Sequence, residues 1–257
     1  MSHLKRLAWF ALSIAAMSAF LSVAAARLWS DLPWWQVVRR CVSVAAALMV
    51  WVFVRRVEGR SWRSLGLGPW KEGKWQLAQG IVLGVIVVLL VVGMYLATGA
   101  CHIAIYPDRH RVVRSLLAFV PAAGLIALLE ELVFRGYVLQ QLLAYSTPLA
   151  VVGSSAAYAV VHLKTTLIWP NTGFEFVGLF LLGWVLAQSV LRTKQLYLAM
   201  GFHAGLAYFA VVNKLVIAFT DLSLQWLVGT SRLVNGVIAW LVLLSVGVVV
   251  SNWRSSA

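Results

Sequence analysis

Charge is scarce in this chain. Asp, Glu, Lys and Arg make up 11% of its 257 residues, and 62% are hydrophobic. A soluble domain carries roughly 25% charged residues. A water-facing surface cannot absorb that shortfall. A lipid-facing one can, because charge is costly in lipid and apolar surface is not. Cysteine is nearly lacking as well: the two present, Cys41 and Cys101, exclude a zinc ribbon or a disulfide scaffold. Period-2 alternation, long repeats, low-complexity stretches and any soluble domain are also missing.

What is there instead is a series of apolar runs of about 20 residues, the length that crosses a hydrocarbon core of about 30 Å. They fall near 7–26, 36–54, 77–100, 115–143, 148–168, 176–191, 195–216 and 234–251. Run length points to helices rather than strands. The chain thus reads as one integral membrane domain, all-α and polytopic, with about eight transmembrane helices. The fourth span is long, and so bent or tilted, and the sixth is short. The stretch 217–233 is interrupted by Thr220, Asp221, Gly229 and Arg232 and reads as a loop on the membrane surface. The first run, after Lys5 and Arg6 and before Ala24-Ala25-Ala26, imitates a signal peptide. It is too long for a cleavable apolar core of about 7–15 residues, and the reading favoured is an uncleaved helix.

The net charge is 21 − 8 = +13. Such an excess suits nucleic acid, but here the basic residues lie in loops between spans. There they set topology and attract anionic headgroups, so the bilayer, not nucleic acid, is the expected partner. The cluster Arg55, Arg56, Arg60, Arg63, Lys71 and Lys74 places the loop 55–75 in the cytoplasm, as a hinge or surface amphipathic piece. With eight spans, both termini are then cytoplasmic. Cys41 and Cys101 fall near the outer span ends, as two inert thiols or, alternatively, an exported-side disulfide.

Spans one to three carry few polar groups, whereas spans four, five and seven hold Glu130, Glu131, Arg135, His162 and His203. Ionisable groups inside a span are functional candidates by default. Glu131 and Arg135 are four apart and share a helix face, so they can pair. Glu130 is turned about 100° away and is free to face something else. Tyr158 and His162 are likewise four apart, beside small Gly153 and Ala157. His203 sits inside the Gly201–Gly205 pair that favours close helix contact. The bland alternative is a buried salt-bridge network with two hydrogen-bonded core histidines. A carboxylate and two histidines on three helices suit two chemistries. One is a Zn²⁺ site with an open position for water. The other is a metal-free site in which a glutamate takes a proton from water and the histidines orient it and stabilise the oxyanion. No HExxH is present.

Glu130-Glu131-x-x-x-Arg135, then Tyr158-x-x-x-His162, then His203 resembles the CPBP family of CAAX prenyl endopeptidases and bacteriocin-processing or immunity proteins, also called Abi. The family pattern is EExxxR, FxxxH and HxxxN or HxxxD. The resemblance covers 115–216, which it marks as a catalytic core, with 1–114 as accessory spans and 217–257 as a surface segment and last span. It implies a glutamic-type intramembrane protease needing no cofactor. Glu130 would activate water, His162 would help position it and move protons, and His203 would stabilise the oxyanion. Glu131 and Arg135 would be the supporting pair. Tyr158 keeps the ring of the family Phe and adds a hydroxyl. Ala207 stands where the family has Asn or Asp and offers no hydrogen bond. Tyr208 is about 100° around the helix and Asn213 nearly three turns off, so a substitute donor must come from elsewhere, such as Gln188.

The leading expectation is an endopeptidase that cleaves a membrane-anchored or C-terminal-tail-bearing protein or peptide, in a prokaryotic cytoplasmic membrane. A non-catalytic immunity or binding protein of the same fold, and a small transporter with a Glu/His proton relay, are the other readings. Transporters commonly show symmetry between halves, and none is visible here.

Overall fold

A computed structural model describes residues 2–27, 33–163, 169–219, 222–229 and 234–253. The chain forms α1 (His3–Ala26), then α2 (Trp34–Val52), which runs into a π-helical segment, Phe53–Val57. A 3-10 turn, Trp62–Leu65, leads into α3 (Trp70–Ala97), β1 (Cys101–Ile103) and α4 (Arg109–Glu131). A second π-helical segment, Leu132–Val138, joins α4 to α5 (Leu139–Leu143). The chain continues through α6 (Thr147–His162), α7 (Asn171–Thr193), α8 (Tyr197–Val216), β2 (Ile217–Phe219), a 3-10 turn Leu222–Leu224, α9 (Gln225–Val228) and α10 (Val237–Ser251).

Among the described residues, counting 109–143 as one rod, eight long helical rods coincide with the eight apolar runs. Five stretches of the described residues are long and apolar enough to cross a membrane: His3–Ala26, Trp62–Ala97, Arg109–Leu143, Asn171–Thr193 and Tyr197–Val216. Val237–Ser251 is a shorter apolar helix. The fold is an all-α polytopic membrane protein. Side chains at the entry points fix where helices begin. Asp108 Oδ1 accepts from the Arg111 amide at 2.9 Å, and Ser146 Oγ accepts from the Leu149 amide at 3.3 Å, ahead of Pro148.

Several expectations need correction. The sixth run is not short: α7 spans 23 residues, because Glu175 at its start is buried rather than lost to a loop. The fifth helix ends at His162, and 164–168 lie outside the described residues. Strand is present, as Cys101–Ile103 pairs antiparallel with Ile217–Phe219. Most of 217–229 is thus ordered as strand, 3-10 turn and a short helix; Thr220, Asp221 and Arg232 lie outside the described residues. The 55–75 loop is not a free surface piece. Leu65 is fully buried and the Leu196 amide bonds the Gly66 carbonyl at 2.9 Å. Cys41 and Cys101 are separate buried thiols, in line with the first of their two readings.

The close contact that matters most for the site lies between α3 and α8. A Cβ on Gly80 would collide with the Leu198 carbonyl, and one on Gly201 with the Leu77 carbonyl. Gly84 faces the Phe202 carbonyl the same way, at 2.9 Å. Backbones this close are held by dispersion, since lipid supplies no hydrophobic drive between helices. α4 lies along α8, α6 lies along α7, and α10 packs on α7 and α3. Gly201→Val has no room against the Leu77 carbonyl and must push α8 off α3. We expect a loss near the upper end of overpacking costs, about 3 kcal/mol, read as a lower unfolding midpoint in detergent. An unchanged midpoint would show that the contact is slack.

Candidate active site

The rod 109–143 carries both glutamates at the end of α4 and Arg135 inside the π-helical segment. Single π turns inside helices are frequent at functional sites. Arg135 Nη1 donates to Glu131 Oε1 at 3.1 Å, and both side chains are fully buried. Arg135 Nη2 donates to the Gly183 carbonyl of α7 at 3.1 Å. Gly183 also lets α7 approach α6 closely, since a Cβ there would stand 2.9 Å from Ser155 Cα. The guanidinium also lies 4.6 Å from the centre of the Tyr158 ring, within cation–π range. One arginine thus ties α4, α6 and α7 together.

The two histidines come from α6 and α8. His162 Nδ1 is 2.8 Å from the Tyr158 carbonyl. A carbonyl only accepts, so Nδ1 carries the proton and the neutral ring presents Nε2 as a lone pair. That Nε2 is 3.0 Å from Glu130 Oε2. His203 Nδ1 is 2.8 Å from Glu131 Oε1. With Glu131 ionised opposite Arg135, this nitrogen also donates, and its Nε2 faces Glu130 Oε2 at 3.6 Å. The Tyr158 ring stands beside both imidazoles, with centroids 4.3 Å from His162 and 6.0 Å from His203.

The polar arrangement has a definite proton count. Glu130 Oε2 at 3.0 Å from an unprotonated Nε2 would set two acceptors against each other. One proton must therefore lie between the carboxyl and the imidazole. With Glu130 and Glu131 negative, Arg135 positive and that proton included, the cluster is neutral, which is what a low-dielectric site tolerates. Burial is graded. Glu131 and Arg135 are wholly enclosed and His203 nearly so, at 7% of its side chain exposed, while Glu130 and His162 are exposed by 28% and 27%. The edge formed by Glu130 and His162 is the open one, although Glu130 Oε2 itself is enclosed. Among the described residues, no three His, Cys, Asp or Glu side chains are arranged as a metal-ligand group.

The structure therefore brings together Glu130, Glu131, Arg135, Tyr158, His162 and His203. Gln188 does not join them. It lines an apolar cleft with Thr147, Pro148 and Val152, at the far end of α6 from His162. The ten residues from Val152 to His162 span about 15 Å of helix. Asn213 faces another apolar pocket, with Val88, Ile103 and Ile217. Ala207 lies one turn beyond His203. Neither amide replaces the missing donor.

Four contributors escaped the sequence reading. Gly183 acts through its carbonyl, which carries no side-chain signal. Gly80 and Gly84 bear the helix of His203 and could have been seen as small residues spaced four apart in an apolar run. Glu58, a single acid in the basic stretch Arg55–Arg60, is buried against the rod that carries Arg135. Its opposite sign in that company was the available signal.

The whole chain has no match among curated proteins. Residues 112–209 match the family model described as type II CAAX prenyl endopeptidase Rce1-like, and this segment holds all six clustered residues. The family implies a protease, and the match covers less than half of the chain. Residues 112–209 are thus similar to the Rce1-like type II CAAX prenyl endopeptidases, a likeness in keeping with the CPBP resemblance of the sequence motifs.

Proposed function

We propose that the protein is a glutamic-type intramembrane endopeptidase that cleaves a peptide bond of a membrane-anchored or C-terminal-tail-bearing protein. The observation that carries this reading is the convergence of both histidine Nε2 atoms on the enclosed Glu130 Oε2, at 3.0 and 3.6 Å, in a carboxylate whose side chain is otherwise partly exposed. The proton shared by the pair starts on His162 Nε2. Glu130 takes a proton from an entering water, and the hydroxide attacks the scissile carbonyl. His162, whose Nδ1 is committed to a carbonyl, delivers its Nε2 proton to the leaving amine as the carbon–nitrogen bond breaks, and Glu130 returns the water's proton to Nε2. His203 takes up one further proton at Nε2 as the oxyanion develops, its charge balanced by Glu131 at Nδ1. Arg135 keeps Glu131 ionised and in place. By the positive-inside reading, the end of the bundle bearing Lys5, Arg55, Arg56, Lys71 and Lys74 is cytoplasmic.

The chemistry needs no metal in this scheme. Cleavage of tail-bearing substrates by the purified protein is expected to continue in a strong chelator. Loss in chelator with recovery on adding Zn²⁺ would instead assign Glu130, His162 and His203 as metal ligands. Ala207 favours a second reading, a non-catalytic binding or immunity protein of the same fold. That reading gains if a partner that binds in cells is not cleaved.

A further inference from the structure

We propose that Glu58, outside the family-matched segment, is a positioning residue for the site: it holds the π-helical segment in the rotation that aims Arg135. The inference rests on the proteolytic reading only for its activity readout.

Glu58 lies in the segment that follows α2, yet its side chain is only 2% exposed. Its Oε1 accepts from the Tyr137 hydroxyl at 2.8 Å and from Gln141 Nε2 at 2.7 Å, with Arg6 Nη1 at 3.9 Å. Its Oε2 accepts from Arg60 Nη1 at 3.1 Å. Arg60 in turn donates from Nη2 to Gln140 Oε1 at 2.6 Å, and His3 Nδ1 meets Gln141 Oε1 at 2.6 Å. The Tyr137 ring is clasped by Phe10, with centroids 4.4 Å apart, and by Phe53 at 6.0 Å. Glu58 therefore joins α1, the loop and the 132–143 end of the rod at one buried point.

Tyr137 is two residues past Arg135, about 200° around a helix. The segment is thus pinned on opposite sides. Arg135 reaches Glu131 and Gly183 on one flank, and Tyr137 and Gln141 reach Glu58 on the other. A π turn is rare as a local structure, so its register depends on what grips it. Without Glu58, the Tyr137 hydroxyl and Gln141 amide lose their shared acceptor. The segment can then rotate, and Arg135, Glu131 and His203 move with it. An ångström-scale misplacement of this kind can cost about 10²-fold in rate with binding little changed.

The test uses the full chain in nanodiscs, with Glu58→Leu, Glu58→Gln and Glu58→Asp. Two readouts run together: kcat and KM on a cleaved substrate, and amide hydrogen exchange resolved to segments. Glu58→Leu is expected to lower kcat 10- to 100-fold with KM within about twofold. Exchange should speed up in 132–143 and stay unchanged in α7 and α8, with Glu58→Asp restoring most of kcat. Unchanged kcat with unchanged exchange in 132–143 overturns the proposal. So does loss of exchange protection throughout the bundle, which would make Glu58 a general stabiliser. If the unaltered protein cleaves nothing, the proteolytic reading fails, and the exchange pattern alone decides whether Glu58 fixes the segment.

Discussion

Glu130→Gln should abolish peptide-bond cleavage while leaving the fold intact. The amide keeps the size of the carboxyl and can still face His162 Nε2, now by donating to it, so the packing around α4 and α6 has no reason to change. What is lost is the proton acceptor. General-base groups contribute about 10²–10⁴ in rate, and the fall in kcat should lie in that range. Since Glu130 is 28% exposed and belongs to no fully buried pair, the unfolding midpoint should move little. A parallel His162→Ala tests the partner. It removes the 3.0 Å contact and the path by which the proton leaves, and a comparable loss in kcat is expected. The double variant should be little worse than either single one, because groups acting as a unit are not additive. Cleavage that survives Glu130→Gln would remove Glu130 as the base and with it the mechanism above.

Arg135→Met should produce the largest change in stability. The Glu131–Arg135 pair is wholly enclosed, and Glu131 Oε1 also bonds His203. Removing one partner of a buried pair leaves an uncompensated charge and typically costs about 3–5 kcal/mol. The variant also surrenders the bond to the Gly183 carbonyl and the contact with the Tyr158 ring. Glu131→Gln combined with Arg135→Met removes both charges, and most of the lost stability should return, to within about 1–2 kcal/mol. Activity should not return with it. His203 would then face an amide in place of a carboxylate and could no longer be balanced as a doubly protonated ring. Unfolding in mixed micelles and cleavage rates, measured on the same preparations, separate the two effects. Stability that stays low in the double variant would mean that Arg135 acts through packing rather than charge. Activity that recovers would mean that Glu131 is not part of the machinery.

The parts of this site legible in the sequence are those governed by helical period. Glu131 and Arg135, spaced by four, do meet, and Glu130, one position away, faces a different partner. Tyr158 and His162 share a face for the same reason, and their rings are 4.3 Å apart. The apolar runs located the rods because a membrane span is read from length and polarity alone. What stayed hidden depends on backbone register and on distant packing. The π-helical segment 132–138 shifts hydrogen bonds by one residue, and nothing in Leu-Val-Phe-Arg-Gly-Tyr-Val announces it. The strands 101–103 and 217–219 hold three residues each, too few for alternation to show. Their pairing is closed from more than a hundred residues apart. Gln188 looked available only because its polarity was visible and its place on α7 was not: it faces Thr147 and Pro148, away from His162. Glu58 went unremarked within the 55–75 loop because its burial depends on α1 and on Tyr137.

The glycine contact between α3 and α8 bears on how this protein can be cut or transplanted. The helix of His203 leans along much of its length on α3, whose residues 70–97 lie wholly before the matched segment 112–209. An excised 112–209 fragment would leave Gly201 and its neighbours facing lipid where a helix belongs. It would also forfeit the grip of the N-terminal loop on Leu196. Similarity and autonomy part company here: the portion that can be recognised is not a module, and any graft or minimal version of the site has to carry the chain from α1 onward.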